Sequence, residues 1–236
     1  RAPRSLGLTE VAASYLPMLR QALTQIDVAT GQILTVAHRQ EVIIACPASL
    51  AANWLPQRLH AFRQAAPEVD VTIHATIWSE TSDQIADLRI TPRHVSQPLV
   101  GHSLGEEGLV MVCPPSFMMG PDAMTRPADV ARHPMIHVLG RQDHWEAFAR
   151  HHGLADLPLA RGLKTDSSNV ALEMAIAGLG CCVTLASLAE VHLQRGLLVE
   201  PFPAPLPSGW GYDLHPGELS PTRASEKLMK FLLQRE

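Results

Sequence analysis

Two places in this chain put serine at a strand-to-helix junction, and the chemistry they can carry is anion binding. Ser49 follows the apolar run from Glu41 to Cys46, and Asp166-Ser167-Ser168 follows Gly162 to Thr165. Each opens a segment with helical periodicity. A helix start has N–H groups without intrahelical acceptors and about half a positive charge, so a carboxylate or phosphate is the favoured guest. Each serine can equally act as no more than the cap of its own helix. Asp166 can receive an ammonium group, which beside two helix starts would suit an amino acid. Arg93, just past a strand end, can pair bidentately with an anion or sit in a solvated loop. Trp54 and Trp78 can wall such a site or simply pack.

Other site chemistries have little foothold. The chain lacks a GxSxG elbow, a P-loop, a GxGxxG after a strand and an HExxH. Cys46, Cys113, Cys181 and Cys182 sit in apolar runs without CxxC spacing, which reads as reduced, buried core thiols. An apolar strand is also a poor place for a low-pKa nucleophilic thiolate. Of the 12 histidines, His133/His137 and His151/His152 group closest, and neither has metal-ligand spacing. The expectation is no enzyme, no metal and no cofactor.

The bulk numbers bound the size of the core and the kinds of surface the chain can offer. There are 236 residues, 46% hydrophobic and 18% charged, enough for one large or two small cores. A formal charge of −4 argues against a general nucleic-acid or membrane surface. No apolar run approaches the ~20 residues of a membrane span.

Strands alternating with helices must hold these residues. Glu41 to Cys46 reads as a buried strand ended by Pro47, with Ser49 capping a helix that buries Leu55, Leu59 and Phe62. Pro56 kinks or restarts that helix. A strand from Val69 to Ile77, a polar turn or short helix from Ser79 to Asp87, and a weak strand from Asp87 to Thr91 follow. Leu109 to Cys113 is an apolar strand stopped by Pro114-Pro115. The grammar then repeats: a helical turn from Asp129, a strand from Met135 to Leu139, and a helix from Asp143 to His151. Next come the strand Gly162 to Thr165, the helix opened by Asp166-Ser-Ser168, and the strand Gly180 to Leu185. Ser187-Leu-Ala-Glu190 reads as a capping box, Leu197 to Phe202 and Trp210 to His215 as strands, and Ser220-Pro221 as the start of the last helix. That helix buries Leu228, Phe231 and Leu232.

Ahead of all this runs an apolar seam: Leu8, Ala12, Tyr15, Leu19, Ala22, Ile26, Ala29 and Ile33. Spacings of four and three over about four heptads predict a helix that packs on a partner helix. A second subunit is the expected partner, because the rest of the chain has its own core.

Three stretches resemble the regulatory part of a LysR-type transcriptional regulator. Leu6-Gly-Leu-Thr-Glu10 resembles the end of that family's winged helix-turn-helix unit. Pro47 to Leu59, with Phe62-Arg63 and Pro67, resembles the first strand-to-helix segment of the effector domain. Asp166 to Gly180 resembles the second subdomain's helix, and the last two fit best the branch similar to the glycine-cleavage activator. The resemblance covers the chain nearly end to end. It implies an α/β fold of two Rossmann-like subdomains of the periplasmic-binding-protein type II kind, preceded by a linker helix. The implied parts are the tail of an absent DNA-reading unit (1–7), a linker and dimerisation helix (8–38), subdomain I (39–114 with 206–236) and subdomain II (115–205). The chain is thus expected to be a piece of a longer protein. The family further implies a cytoplasmic homodimer or homotetramer, a small anionic or zwitterionic effector, and operator DNA bound through the absent unit. No membrane partner is implied. In such paired sheets ligands sit in the crevice beyond the carboxyl ends of the strands. The third strand departs from the family pattern, with Arg89, Pro92 and Arg93 where a small residue and a Tyr-Gly ending are common. A solute-binding protein of a transport system shares the fold and is the alternative, but the dimerisation seam counts against it.

Overall fold

The computed structural model describes residues 15, 16, 18–25, 40–76 and 85–234. It divides the chain into two units, 1–40 and 41–236. In the first, residues 15, 16 and 18–25 are helical, and Tyr15, Leu19 and Ala22 of the predicted seam are exposed. Leu8, Ala12, Ile26, Ala29 and Ile33 lie outside the described residues, as does Trp78.

The second unit is built on one eight-stranded sheet. Its strands are β1 (Glu41–Pro47), β2 (Asp70–Thr76), β3 (Leu88–His94), β4 (His102–Val112), β5 (Met135–Val138), β6 (Leu163–Thr165), β7 (Cys181–Leu185) and β8 (Leu206–Pro216). Their order across the sheet is β2-β1-β3-β8-β4-β7-β5-β6. One wing is parallel, β1 pairing with β2 and β3; so is the other, β5 pairing with β6 and β7. The two eleven-residue strands β4 and β8 run antiparallel between the wings and join them. Register shifts between Ser103 and Gly105 and between Glu106 and Gly108 bend β4 along this seam.

Six helices cover the sheet: α1 (Ala48–Asn53), α2 (Leu55–Ala65), α3 (Gln142–His151), α4 (Ser168–Ile176), α5 (Ala186–Gln194) and α6 (Arg223–Leu233). Pro56 at the second position of α2 lacks an N–H that the first turn would not use, so the helix restarts there, as predicted. The core is continuous. Ile44, Leu50, Leu55, Phe62 and Leu228 fill one wing, and Ile136, Trp145, Phe148, Leu172 and Cys182 the other, each no more than 2% exposed. All four cysteines are buried, and burial pushes the thiols of Cys46, Cys113 and Cys182 up to about 12.

Several local expectations need correction. Ser49 does not cap α1: Pro47 holds that position, and Ser49 is the helix's second residue. Ser187 likewise lies inside α5 behind an N-cap Leu185, and the N–H of Ser187 meets the Glu107 carboxylate at 3.3 Å instead of a capping box. Leu197 to Phe202 forms only a single bridge, Val199 to Cys113. The last helix starts after Thr222, whose hydroxyl accepts the Ser225 N–H at 3.1 Å, rather than after Ser220. The third strand runs on to His94, so Arg93 lies within β3 and not beyond its end.

Candidate functional site

The carboxyl ends of β1 and β2 face those of β5 and β6 across a cleft of about 380 Å³. Its size suits a small metabolite. From one wing come Ser49 at the start of α1, Thr76 at the end of β2, and Gln97 beyond β3. From the other come Arg141 before α3, and Asp166, Ser167 and Ser168 before and at the start of α4. Trp210 and Tyr212 of β8 line it too; two residues apart, their side chains share a face of the sheet.

Of the residues singled out from sequence, the cleft therefore collects Ser49, Asp166, Ser167 and Ser168. Neither Ser49 nor Ser167 makes a side-chain cap bond, although Ser167 occupies the N-cap position of α4. Capping thus does not account for either hydroxyl. Arg93 does not line the cleft. Its Nε lies 2.8 and 2.9 Å from the two oxygens of Asp213, which is 1% exposed, and its Nη1 donates to the Gln97 carbonyl. Its work is to anchor the turn that carries Gln97. Trp54 sits elsewhere, in a groove of about 150 Å³ shared with Arg58, whose guanidinium lies 5.3 Å from the indole centroid.

Sequence reasoning passed over Arg141, the one cationic side chain among the cleft-lining residues. The guanidinium stands 3.8 Å from the Trp210 ring centroid, a cation–π contact that leaves its forked donors free to bind. Among the described residues, the adjacent Gly140 carbonyl alone accepts one of them, at 3.3 Å. The signal was present: Gly140-Arg141 follows a strand and precedes a helix, the same junction as Ser49, with a charge in place of a hydroxyl.

Two further groups shape the electrostatics. His144 is buried at the cleft edge with Nδ1 3.3 Å from the Val183 carbonyl, and burial lowers its pKa below the ordinary histidine range. It is therefore a neutral imidazole near neutral pH, donating from Nδ1. Burial, aided by the charge of Glu107, raises the Tyr212 phenol, which stays protonated. The cleft thus offers a guanidinium, hydroxyls and a helix start to an anion, and one carboxylate, Asp166, to a cation.

Residues 37–236 match the model of the LysR substrate binding domain. The chain belongs to that family. It is 31% identical over 206 residues to the glycine cleavage system transcriptional activator of Escherichia coli K12, covering 86% of this chain and 67% of that protein. The corresponding homologue of Haemophilus influenzae is 29% identical over 209 residues, covering 88% and 69%. Among solved structures, the effector domain of AmpR from Pseudomonas aeruginosa superposes with a TM-score of 0.67 at 22% identity, over 82% of this chain and 93% of that one. A full-length AphB variant does so with a TM-score of 0.59 at 15% identity, over 98% and 80%. This LysR domain therefore has the type II periplasmic-binding-protein fold expected from the two wings. It is the effector-binding domain of a LysR-type transcriptional regulator, and its relatives are regulators rather than enzymes. Among the described residues no helix is long and apolar enough to cross a membrane.

Proposed function

We propose that this domain senses a small anionic or zwitterionic metabolite held in the cleft between the two wings. The observation that carries the reading is the convergence of Arg141, stacked on Trp210, with Ser49, Ser167 and Ser168 around one cavity of about 380 Å³. A carboxylate between them would receive charge-assisted hydrogen bonds from the guanidinium and from the opening N–H groups of α4. Asp166 would accept the ammonium of an amino acid, which makes glycine, from the E. coli relative's name, a reasonable first probe.

Ser49 and Ser167 belong to opposite wings, so a bridging ligand favours one orientation of the halves. The proposed halves are 39–114 with 206–236 and 115–205, with β4 and β8 as the strands that bend between them. A coupling of about 1–3 kcal/mol, a few differential hydrogen bonds, suffices to shift such an equilibrium. The chain continues from the helical segment into β1, giving that orientation a covalent route toward a DNA-reading unit. Operator DNA would be bound by such a unit and not by the present chain, whose formal charge of −4 gives no net attraction to phosphate. Self-association through the seam from Leu8 to Ile33, as a dimer or tetramer in the cytoplasm, completes the reading.

Thermal-shift screening of amino acids and small carboxylates finds the best probe, which is then titrated into three variants. Arg141→Ala should weaken binding by about 1.5–3 kcal/mol, the scale of hydrogen bonds to charged groups. Ser49→Ala and Ser167→Ala should each weaken it by about 0.5–1.5 kcal/mol. Their folding stability should change little, since neither hydroxyl caps its helix. Unchanged affinity in all three would reject the site.

A further inference from the structure

Adjoining the cleft, α1 is tied to α4 and α5 by hydrogen bonds that all point one way. His192 Nε2 lies 2.9 Å from Asn53 Oδ1, Asn53 Nδ2 lies 2.7 Å from Asn169 Oδ1, and Asn169 Nδ2 lies 3.1 Å from the Ala48 carbonyl. Asn53 donates its second amide proton to the Ser49 carbonyl at 2.9 Å. An amide oxygen only accepts and an amide nitrogen only donates, so the ends of the chain fix every group in it. His192 must donate from Nε2. Its Nδ1 then carries the lone pair, buried and without a partner among the described residues. Burial keeps this imidazole neutral, the charge of Arg195 assisting and that of Glu173 opposing.

Three of these four bonds cross between wings, because α1 follows β1 while α4 and α5 flank β7. The Asn53–His192 bond is well shielded, Asn53 being 7% and His192 8% exposed, and the two bonds of Asn169 are partly buried. They also end on the cleft itself. Ala48 and Ser49, whose carbonyls accept from the network, line it, and so does Ser168, next to Asn169.

We propose that Asn53, Asn169 and His192 form a one-way hydrogen-bond clasp that fixes the width of the effector cleft, with Asn53 as its positioning residue. The clasp gains its meaning from the reading of the cleft as the effector site. With the clasp made, Ser49 and Ser167 are held at ligand-bridging separation before any ligand arrives. With it broken, the ligand must close the cleft as well as fill it. If the clasped form fell to a tenth of the population, apparent affinity would drop about tenfold.

The test measures cleft width without a ligand. Spin labels on Gln64→Cys in α2 and Arg150→Cys in α3, both exposed positions, report the distance between wings. The four native thiols are buried and do not compete for label. Excess unlabelled chain dilutes out any contribution from a second subunit. The parent should give one narrow distance distribution, and Asn53→Ala a broader one with a longer mean. Asn53→Asp should behave like Asn53→Ala despite its matching shape, because it cannot donate to Asn169. His192→Gln keeps a donor near the Nε2 position and should leave the parental distribution unchanged. Asn169→Asp retains the acceptor for Asn53, loses only the donor to Ala48, and gives the same reading where Asn53→Ala fails to fold. A parental distribution in Asn53→Asp and Asn169→Asp would overturn the clasp. So would equal broadening in Phe231→Leu, a control that loosens the Phe62 contact away from the network. Titrating Ser167→Ala judges the cleft separately, since no ligand enters the distance measurement.

Discussion

At the scale of single residues, histidine burial gives this domain a direct acid response. Burial is the largest cause of the lowered pKa of His144, His152 and His192, each below the ordinary 6.5. A histidine whose folded pKa is depressed contributes its full stability above the unfolded value and loses it as pH falls through the folded value. The domain should therefore be more stable at pH 7.5 than at pH 5.5, read as a higher urea midpoint. His144→Gln, which cannot titrate, should shrink that difference. An equal or lower midpoint at pH 7.5 would show that these side chains are solvated and free to charge. The site residues were partly legible at this scale. Serine at a strand-to-helix junction led to turns that line the cleft, whereas Arg141 shares that junction without a hydroxyl, and its stacking depends on where β8 sets Trp210.

At the scale of elements, the Arg93–Asp213 pair joins β3 to β8 and deserves its own test. Asp213 also accepts the Val100 N–H at 3.0 Å, so it anchors both ends of the turn that carries Gln97. Asp213→Ala would leave a largely buried guanidinium unpaired and should cost about 3–5 kcal/mol by chemical denaturation. The start of α6 is a second test. Thr222→Ala removes a reciprocal cap with Ser225 and should cost about 1 kcal/mol, while Ser220→Ala should stay within about 0.5 kcal/mol. The alternation of strands and helices was legible where strands are buried, as in β1, β5 and β7, because buried parallel strands read as unbroken apolar runs. The extension of β3 through Pro92 was not, since proline argues against a strand interior. It is tolerated because β1 pairs with β3 only at Leu88 and Arg89, so beyond them that side of β3 needs no donor. The polar first half of β4 escaped notice for a related reason: His102 to Glu106 pair with Gly211 to Leu214 of β8, and the hydrogen-bond ladder carries them where apolar burial does not.

At the scale of the whole molecule, the seam makes the first prediction. Tyr15 and Leu19 are 59% and 41% exposed on their helix, and the proposed self-association would cover them. Leu19→Asp would bury a charge in that contact and should shift sedimentation toward the monomer, whereas Leu19→Met should not. Unchanged mass in Leu19→Asp would remove this seam from the assembly.

The path of the chain through the sheet also orders its birth on the ribosome. β5, β6 and β7 find their strand partners within their own stretch or in β4, which is made before them. β3 has a partner made much later: its antiparallel neighbour is β8, and α6, which packs against β1 and α2, is made after every strand of the sheet. The earlier-translated wing must therefore wait with one edge open while the later one closes, reversing the usual order in which the N-terminal part folds first. Throughout that interval the open edge of β3 is a template for any other extended segment, which makes translation, rather than the finished state, the time when this domain is most exposed to mispairing.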